Sequence, residues 1–280
     1  MKTGSFPWLS PYGEAAAFRS DVYSTEGGVA WHLNTQREKC DLNLVPQFIP
    51  SREALGALEY ERCVHKGQIP TRDLGHDWYN GLVWLRFAQA KHCINRSHIE
   101  DSNRQSELTS NGRSRLRDAL TLFDENGALL ITTETSIRDA LLAQDWQTLF
   151  VQGRAHWKGR ARLLVFGHGL LDSLQNPHRG LCAKAIPVLV PTLDLPEKTW
   201  PALLEAVVRA VQDPANFSPI PVMGIPGWFE ESNQPGYYDD RSVYRAKATP
   251  RRSSSHERLA FAFDPSTLAL GKCVGQSLPD

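Results

Sequence analysis

The chain lacks the common fingerprints of nucleotide and acyl chemistry. No Gly-x-Gly-x-x-Gly follows a strand pattern, and neither a Gly-x-x-x-x-Gly-Lys-Ser/Thr loop nor a Gly-x-Ser-x-Gly elbow is present. That argues against Rossmann-type cofactor enzymes, P-loop proteins and the common serine hydrolases. It also lacks an excess of either charge, with 31 Lys plus Arg against 31 Asp plus Glu. Sequence-independent nucleic-acid binding draws its affinity from clustered cations, so a nucleic-acid partner is not expected. The five cysteines, at 40, 63, 93, 182 and 273, are odd in number and form no Cys-x-x-Cys pair. They read as reduced thiols, neither a disulfide framework nor a zinc site, and none has the context of an activated thiol. No run reaches the roughly 20 apolar residues of a membrane span. Residues 1–12 carry no continuous apolar core of a signal peptide. The expectation is a cytoplasmic protein with no membrane partner.

What is present is an ordinary globular composition, 41% hydrophobic over 280 residues, enough for one large domain or two modest ones. Residues 1–42 are irregular and rich in Gly, Ser and aromatics. Asn43 to Ile49 reads as a short strand closed by Pro50, and Ser51 as the N-cap of a helix ending near Gly67. A helix beginning near Asp73 or Leu74 places Leu74, Trp78, Leu82 and Leu85 on one stripe. Residues 88–108 are polar and read as a surface helix, with Lys91 and Asn95 solvated. Ala119 to Phe123, then Asp124-Glu125-Asn126-Gly127, then Ala128 to Thr132 is the clearest hairpin signal. Ser136 is expected to cap a helix, Arg160 to Phe166 to form a strand, and Leu181 to Val190 to form an edge or bulged strand around Pro187. Asp194 and Pro196 open an amphipathic helix to about Gln212, and Tyr237 to Arg245 suggests a last strand. Helices and strands mix without βαβ alternation. The fold expected is therefore α+β: a single domain over 43–248 with an antiparallel, hairpin-containing sheet packed by several helices, followed by a partly disordered tail over 249–280.

Two polar blocks stand out as candidates for chemistry. Arg72, His76 and Asn80 recur at i, i+4 and i+8 with Asp77 alongside, so one ligand could touch all three. Arg forks onto carboxylate or phosphate, His serves as acid, base or metal ligand, and Asp77 could orient it or join a metal shell. The structural alternative is a helix start capped by Asp73 with a hydrogen-bonded polar face. Gly167-His168-Gly169 lies where a strand becomes a helix, a place for an anion site or for a tight turn with a packed His. Lys184 is the odd residue inside an apolar strand, needing a partner if it points inward. Asp124 and Glu125 look like an acidic dyad, but Asp, Asn and Gly are also what a hairpin loop needs, and the turn reading is preferred. A His-Asp pair on a helix is similar to the HD phosphohydrolases, which add an upstream His and a downstream Asp. His32 and Asp118 lie at tolerable spacings, yet neither falls in a helical pattern. The aromatic blocks at 224–229 and 237–245 could close a pocket or bury Trp228 and Tyr244 against the core, and the second is preferred.

Several blocks together resemble a bacterial family known as Domain of Unknown Function 3025. They are Ile69-Pro-Thr-Arg with His76-Asp-Trp-Tyr-Asn-Gly-Leu-Val-Trp, Asp118-Ala-Leu-Thr-Leu-Phe-Asp-Glu-Asn-Gly, Phe166-Gly-His-Gly-Leu-Leu-Asp, and Gly224-Ile-Pro-Gly-Trp with Tyr237-Tyr-Asp-Asp and Val243-Tyr-Arg. Where relatives close the Gly-His block with Glu, this chain has Asp172, the same carboxylate on a shorter arm. The resemblance implies a bacterial cytosolic protein and no particular activity. The residues themselves suggest a hydrolase-like enzyme acting on an anionic small molecule. His76 or His168 would be its acid or base, Asp77 would orient that His or hold a divalent cation, and Arg72 would hold the substrate, with Asn80 and Lys184 as further binding candidates. Asp118 or Asp124 could join that site. The alternative is a binding or interaction protein whose polar blocks form an internal hydrogen-bond network. A third reading, nucleic-acid binding through Arg113, Arg115, Arg117, Arg160 and Arg162, needs those side chains on one surface.

Overall fold

A computed structural model describes residues 6–13, 16, 27–107, 114–246 and 258–263. The chain is a single α+β domain. The elements are α1 (Gly28–Arg37), β1 (Gln47–Pro50), α2 (Ala57–His65), β2 (Gln68–Thr71), α3 (Gly75–Glu107), α4 (Arg115–Asn126), β3 (Gly127–Thr132), α5 (Thr135–Ala143), β4 (Ala161–Val165), α6 (His168–Ser173), β5 (Cys182–Leu189), α7 (Thr199–Ala210), β6 (Ser218–Pro221) and β7 (Phe261–Ala262). Strands β4, β3, β5 and β6 run side by side, with β7 pairing on β5, while β1 and β2 form a separate parallel pair.

The hairpin expected over 119–132 is a helix followed by a strand. Ser114 caps α4 by accepting a hydrogen bond from the Arg117 N–H, and Ala119, Leu120 and Phe123 bury one helical face. Gly127 is extended at φ −70°, ψ 147°, whereas a two-residue hairpin turn of the Asn-Gly type needs positive φ. The run from Ala128 to Ile131 is apolar at every position because all of β3 is buried. It lies between antiparallel β4 and parallel β5, and a strand covered on both faces shows no alternation.

Strand β5 is interior, not an edge. Its other side is occupied by β6 opposite Cys182–Ala185 and by β7 opposite Val188 and Leu189. Pro187, which has no N–H to give, falls between these two partners. Lys184 sits opposite Gly127 on one side and Pro219 on the other. Strand β7 lies within the segment read as a tail. Most of the rest of that segment falls outside the described residues.

Helix α3 is the longest element and is broken at Phe87 (φ −133°, ψ 42°). Phe87 is fully buried and meets Tyr12 and Phe166 edge-on. The stretch after the break is not a surface helix: Lys91, Asn95, His98 and Asp101 are all buried. Before it, Trp78 and Leu82 are buried as the stripe required, but Leu74 is exposed. The irregular reading of 1–42 misses α1, whose Val29 N–H is capped by Asp73 Oδ1 at 2.8 Å. Asp73 therefore caps a neighbouring helix. Helix α2 begins at Ala57, after Ser51, and α5 starts at Thr135 with Ser136 already inside it. Residues 237–245 form a 3-10 turn and a loop in place of a strand. Tyr244 is buried against the core, as the covering reading held, and so is Tyr237, while Trp228 is only half-buried.

Phe123 stacks on Phe166 at 5.3 Å and on Phe217 at 5.6 Å, joining α4 to the sheet. Phe123→Ala is expected to lower stability by about 3–5 kcal/mol in urea unfolding. Leu74→Ala, at an exposed site, should change it by less than about 0.5 kcal/mol.

Candidate functional site

The last turn of α4, the first turn of α3 and the first residue of α6 converge. Strand β4 ends by donating the Phe166 and Gly167 N–H groups to the Gly127 carbonyl, at 2.9 and 2.8 Å. That fixes the start of α6 beside the end of α4. The approach is close enough that side chains at the flanking positions would collide. A Cβ on Gly167 would lie 2.5 Å from the Glu125 carbonyl oxygen, and one on Gly169 would run into the Glu125 carboxylate. The two glycines of the Gly-His-Gly block thus serve backbone approach. The Gly167 N–H is already engaged and is not free for an anion.

His168, between them, meets both acids. Its Nε2 lies 3.5 Å from Glu125 Oε1 and its Nδ1 lies 3.8 Å from Asp124 Oδ2. His76, from α3, stacks edge-on against the His168 ring at 4.6 Å, with its Nε2 4.0 Å from the same Glu125 oxygen. One ligand atom from each of His76, Glu125 and His168 lies within 4.8 Å of the others. Among the described residues this is the group of His, Cys, Asp and Glu side chains so arranged. The His76 and Glu125 side chains are 35% and 38% exposed, so the cluster opens to solvent on their side.

Behind it lies a buried ion pair. Lys91, 3% exposed, places its ammonium 2.6 and 2.7 Å from the two Asp124 oxygens. Burial alone would raise the Asp124 carboxyl, but Lys91 and then His168 outweigh it and hold it below the usual carboxylate range. Burial, reinforced by Asp124, pushes Glu125 up. His168 is held down at about 3, chiefly by burial, with Lys91 and His76 adding to the effect and Asp124 opposing it. Its imidazole is neutral at neutral pH, with lone pairs available. His168 Nδ1 is buried without a hydrogen-bond partner among the described residues.

The remaining candidates fall elsewhere. Arg72 and Asp77 clasp each other: the Arg72 N–H and Nε donate to Asp77 Oδ2 at 2.7 and 3.1 Å, and Nη2 donates to Oδ1 at 2.7 Å. Asn80 donates to the Tyr60 hydroxyl at 2.8 Å. Asn95 donates to the Glu61 backbone and carboxylate, so it is bonded and not solvated. His32 and Asp118 both lie on helices, contrary to the sequence pattern, and neither belongs to the His76–Glu125–His168 group. Arg113 lies outside the described residues. Arg115 pairs with Asp213, Arg160 with Glu134, and Arg162 stacks on Trp200. The turn reading preferred for Asp124 and Glu125 does not hold: both lie on the last turn of α4, where Glu125 belongs to the cluster and Asp124, a possible site member by sequence, pairs with Lys91 behind it. Two signals could have found them: the Ser114 cap, and the Ala119–Leu120–Phe123 spacing that puts both acids on one helical turn.

Residues 46–248 match the family DUF3025, described as a protein of unknown function. The chain belongs to that family. No curated protein and no solved structure matches it. The DUF3025 region contains every member of the cluster, from His76 to His168. No helix among the described residues is long and apolar enough to cross a membrane.

Removing one partner of a buried ion pair leaves the other uncompensated. Lys91→Met is expected to destabilise the protein by about 3–5 kcal/mol. The double variant Lys91→Met/Asp124→Leu should recover most of that loss. Denaturant unfolding of the four-member cycle measures it, and a near-additive cycle would contradict the coupling.

Proposed function

We propose that His76, Glu125 and His168 hold a divalent transition-metal ion, and that the centre hydrolyses an anionic small molecule. The observation that carries this reading is the convergence of two imidazoles and one carboxylate on one solvent-open point. Two His and one carboxylate with a free position is the donor set of many catalytic zinc sites. The charge balance supports it. Lys91 and Asp124 neutralise each other, which leaves Glu125 beside two imidazoles, a surround that favours a cation. A divalent ion held there would lower the pKa of a bound water enough to supply hydroxide near neutral pH.

The protein's own groups divide the work. His168 presents Nε2 toward Glu125, while its Nδ1 faces Asp124 at 3.8 Å, too far for a hydrogen bond. His76, half-buried at the rim, completes the set from the solvent side. Arg72 and Asp77 clasp the start of α3 and hold His76 in place in this reading, and they do not contact substrate. Asn80 and Lys184 are likewise scaffold. The rival reading, a binding protein with a structural polar network, draws on the Lys91–Asp124, Arg72–Asp77 and Asn80–Tyr60 contacts.

Zinc or cobalt(II) added to metal-stripped protein at about 100 times Kd should stabilise it by about 2.7 kcal/mol. His76→Ala and Glu125→Gln, at partly exposed positions, should fold normally and lose that shift. Absence of any shift in wild type, or its persistence in both variants, would sink the metal centre. Metal binding without turnover of phosphomonoesters or carboxylic esters would favour the binding protein.

A further inference from the structure

A second concave region lies away from the histidine cluster. It is a cleft of about 280 Å³ between the Pro7–Tyr12 turn, the break in α3, strand β4, the start of α7 and the segment Ile225–Trp228. Its floor is apolar and buried, with Phe87, Ile131 and Ile225 all at 1% exposure or less. Trp157, Trp200 and Trp228 contribute to its walls. The volume sits near the lower end of small-molecule sites, roughly 300–1,000 Å³.

The charges in this cleft are unequal. Arg86 is matched: it pairs with Glu197 and donates its Nε to the Pro11 carbonyl at 3.0 Å. Arg162 is not matched. Its guanidinium carbon lies 3.8 Å from the centre of the Trp200 ring, and no hydrogen bond or ion pair satisfies it among the described residues. A guanidinium laid flat on an indole is held by its face and keeps its in-plane N–H donors open. Those donors form the fork that fits a carboxylate. With Arg86 and Glu197 cancelling, the cleft has one unmatched positive charge. That suits a monoanion better than a phosphate dianion.

We propose that this cleft binds a small aromatic monocarboxylate, its ring lying among the tryptophans and its carboxylate forked onto Arg162. The site is independent of the metal centre and stands whether or not that centre exists. Arg162 lies on the edge strand β4 and is exposed, so its replacement leaves the core untouched. Its cross-strand partner Ile131 lines the same cleft, which fixes the depth at which the ring would stop.

Isothermal titration calorimetry of the full chain with 2-naphthoate tests the proposal, with 2-naphthalenemethanol as the neutral counterpart. Wild type should bind the carboxylate saturably at one site. Arg162→Met, and the neutral alcohol on wild type, should each bind at least about tenfold more weakly, a loss on the scale of one charge-assisted contact. Ser10→Trp, which fills the rim from an exposed position, should weaken binding without lowering Tm. His76→Ala should leave it unchanged. The proposal falls if folded wild type shows no saturable binding at millimolar naphthoate, or if Arg162→Met or the alcohol binds as well as the reference. It also falls if His76→Ala abolishes binding, which would put the ligand at the histidine cluster.

Discussion

An ammonium group carried into a protein interior needs an anion against it, and Lys91 is that group here. With only 3% of its side chain exposed, it requires Asp124 at hydrogen-bond distance. Much of the site follows from that requirement. Asp124 stands near the end of α4, so α4 must bring its last turn against the second arm of α3. Glu125, the next residue, then faces the neighbouring space, where His76 from the first arm and His168 from α6 already stand. The break at Phe87 matters for the same reason. Groups on both sides of it, His76 before and Lys91 after, bear on one turn of α4.

Steric room completes what charge begins. The end of α4, the start of β3 and the start of α6 meet at Gly127, Gly167 and Gly169. A Cβ at any of the three would collide with α4: with Phe123 in the first case, and with Glu125 or Asn126 in the others. The Gly127 carbonyl accepts two N–H groups from the end of β4, so the backbone there is satisfied without water. Phe123, Phe166 and Phe217 then stack beneath the junction. A fully buried central strand, a capped helix and the close-approach glycines on either side of it together position His168. Side chains supplied by loops alone rarely achieve that.

The sequence carried some of this openly and hid the rest for physical reasons. The start of α3, strand β4, the turn into α6 and helix α7 were all legible, because each has a strong periodic pattern or a turn residue with one use. His76 and His168 were legible as a pair worth bringing together. The α4–β3 junction was not. Asn126-Gly127 is a hairpin signature, and a strand buried on both faces has no alternation to contradict it. The same error hid Asp124 and Glu125, since an acid in a turn reads as solvated. Lys91 and Asn95 misled because a helix with buried polar groups looks like a surface helix when its partners lie 33 and 34 residues away. Only the tertiary structure brings Asp124 and Glu61 to them.

The polar groups around the site separate into two layers, and that separation is the strongest argument about what the site is for. The inner layer is paired: Lys91 with Asp124, Arg72 with Asp77, Asn80 through its Nδ2 with Tyr60, Asn95 with Glu61. Each of these pairs stabilises packing whether or not a ligand exists. The outer layer is open. His76 and Glu125 approach each other and His168 at 3.5–4.0 Å without closing a hydrogen bond, and His168 Nδ1 is buried unsatisfied. Unpaired buried polar atoms are not peculiar to this place, since Asn80 Oδ1 and the Tyr244 hydroxyl also lack a hydrogen-bond partner among the described residues. What sets the outer layer apart is that ligand-type atoms of His76, Glu125 and His168 converge in it. Donors that hydrogen-bonded to one another would have to be pulled apart before they could ligate, whereas donors held near each other and unpaired are already arranged for it.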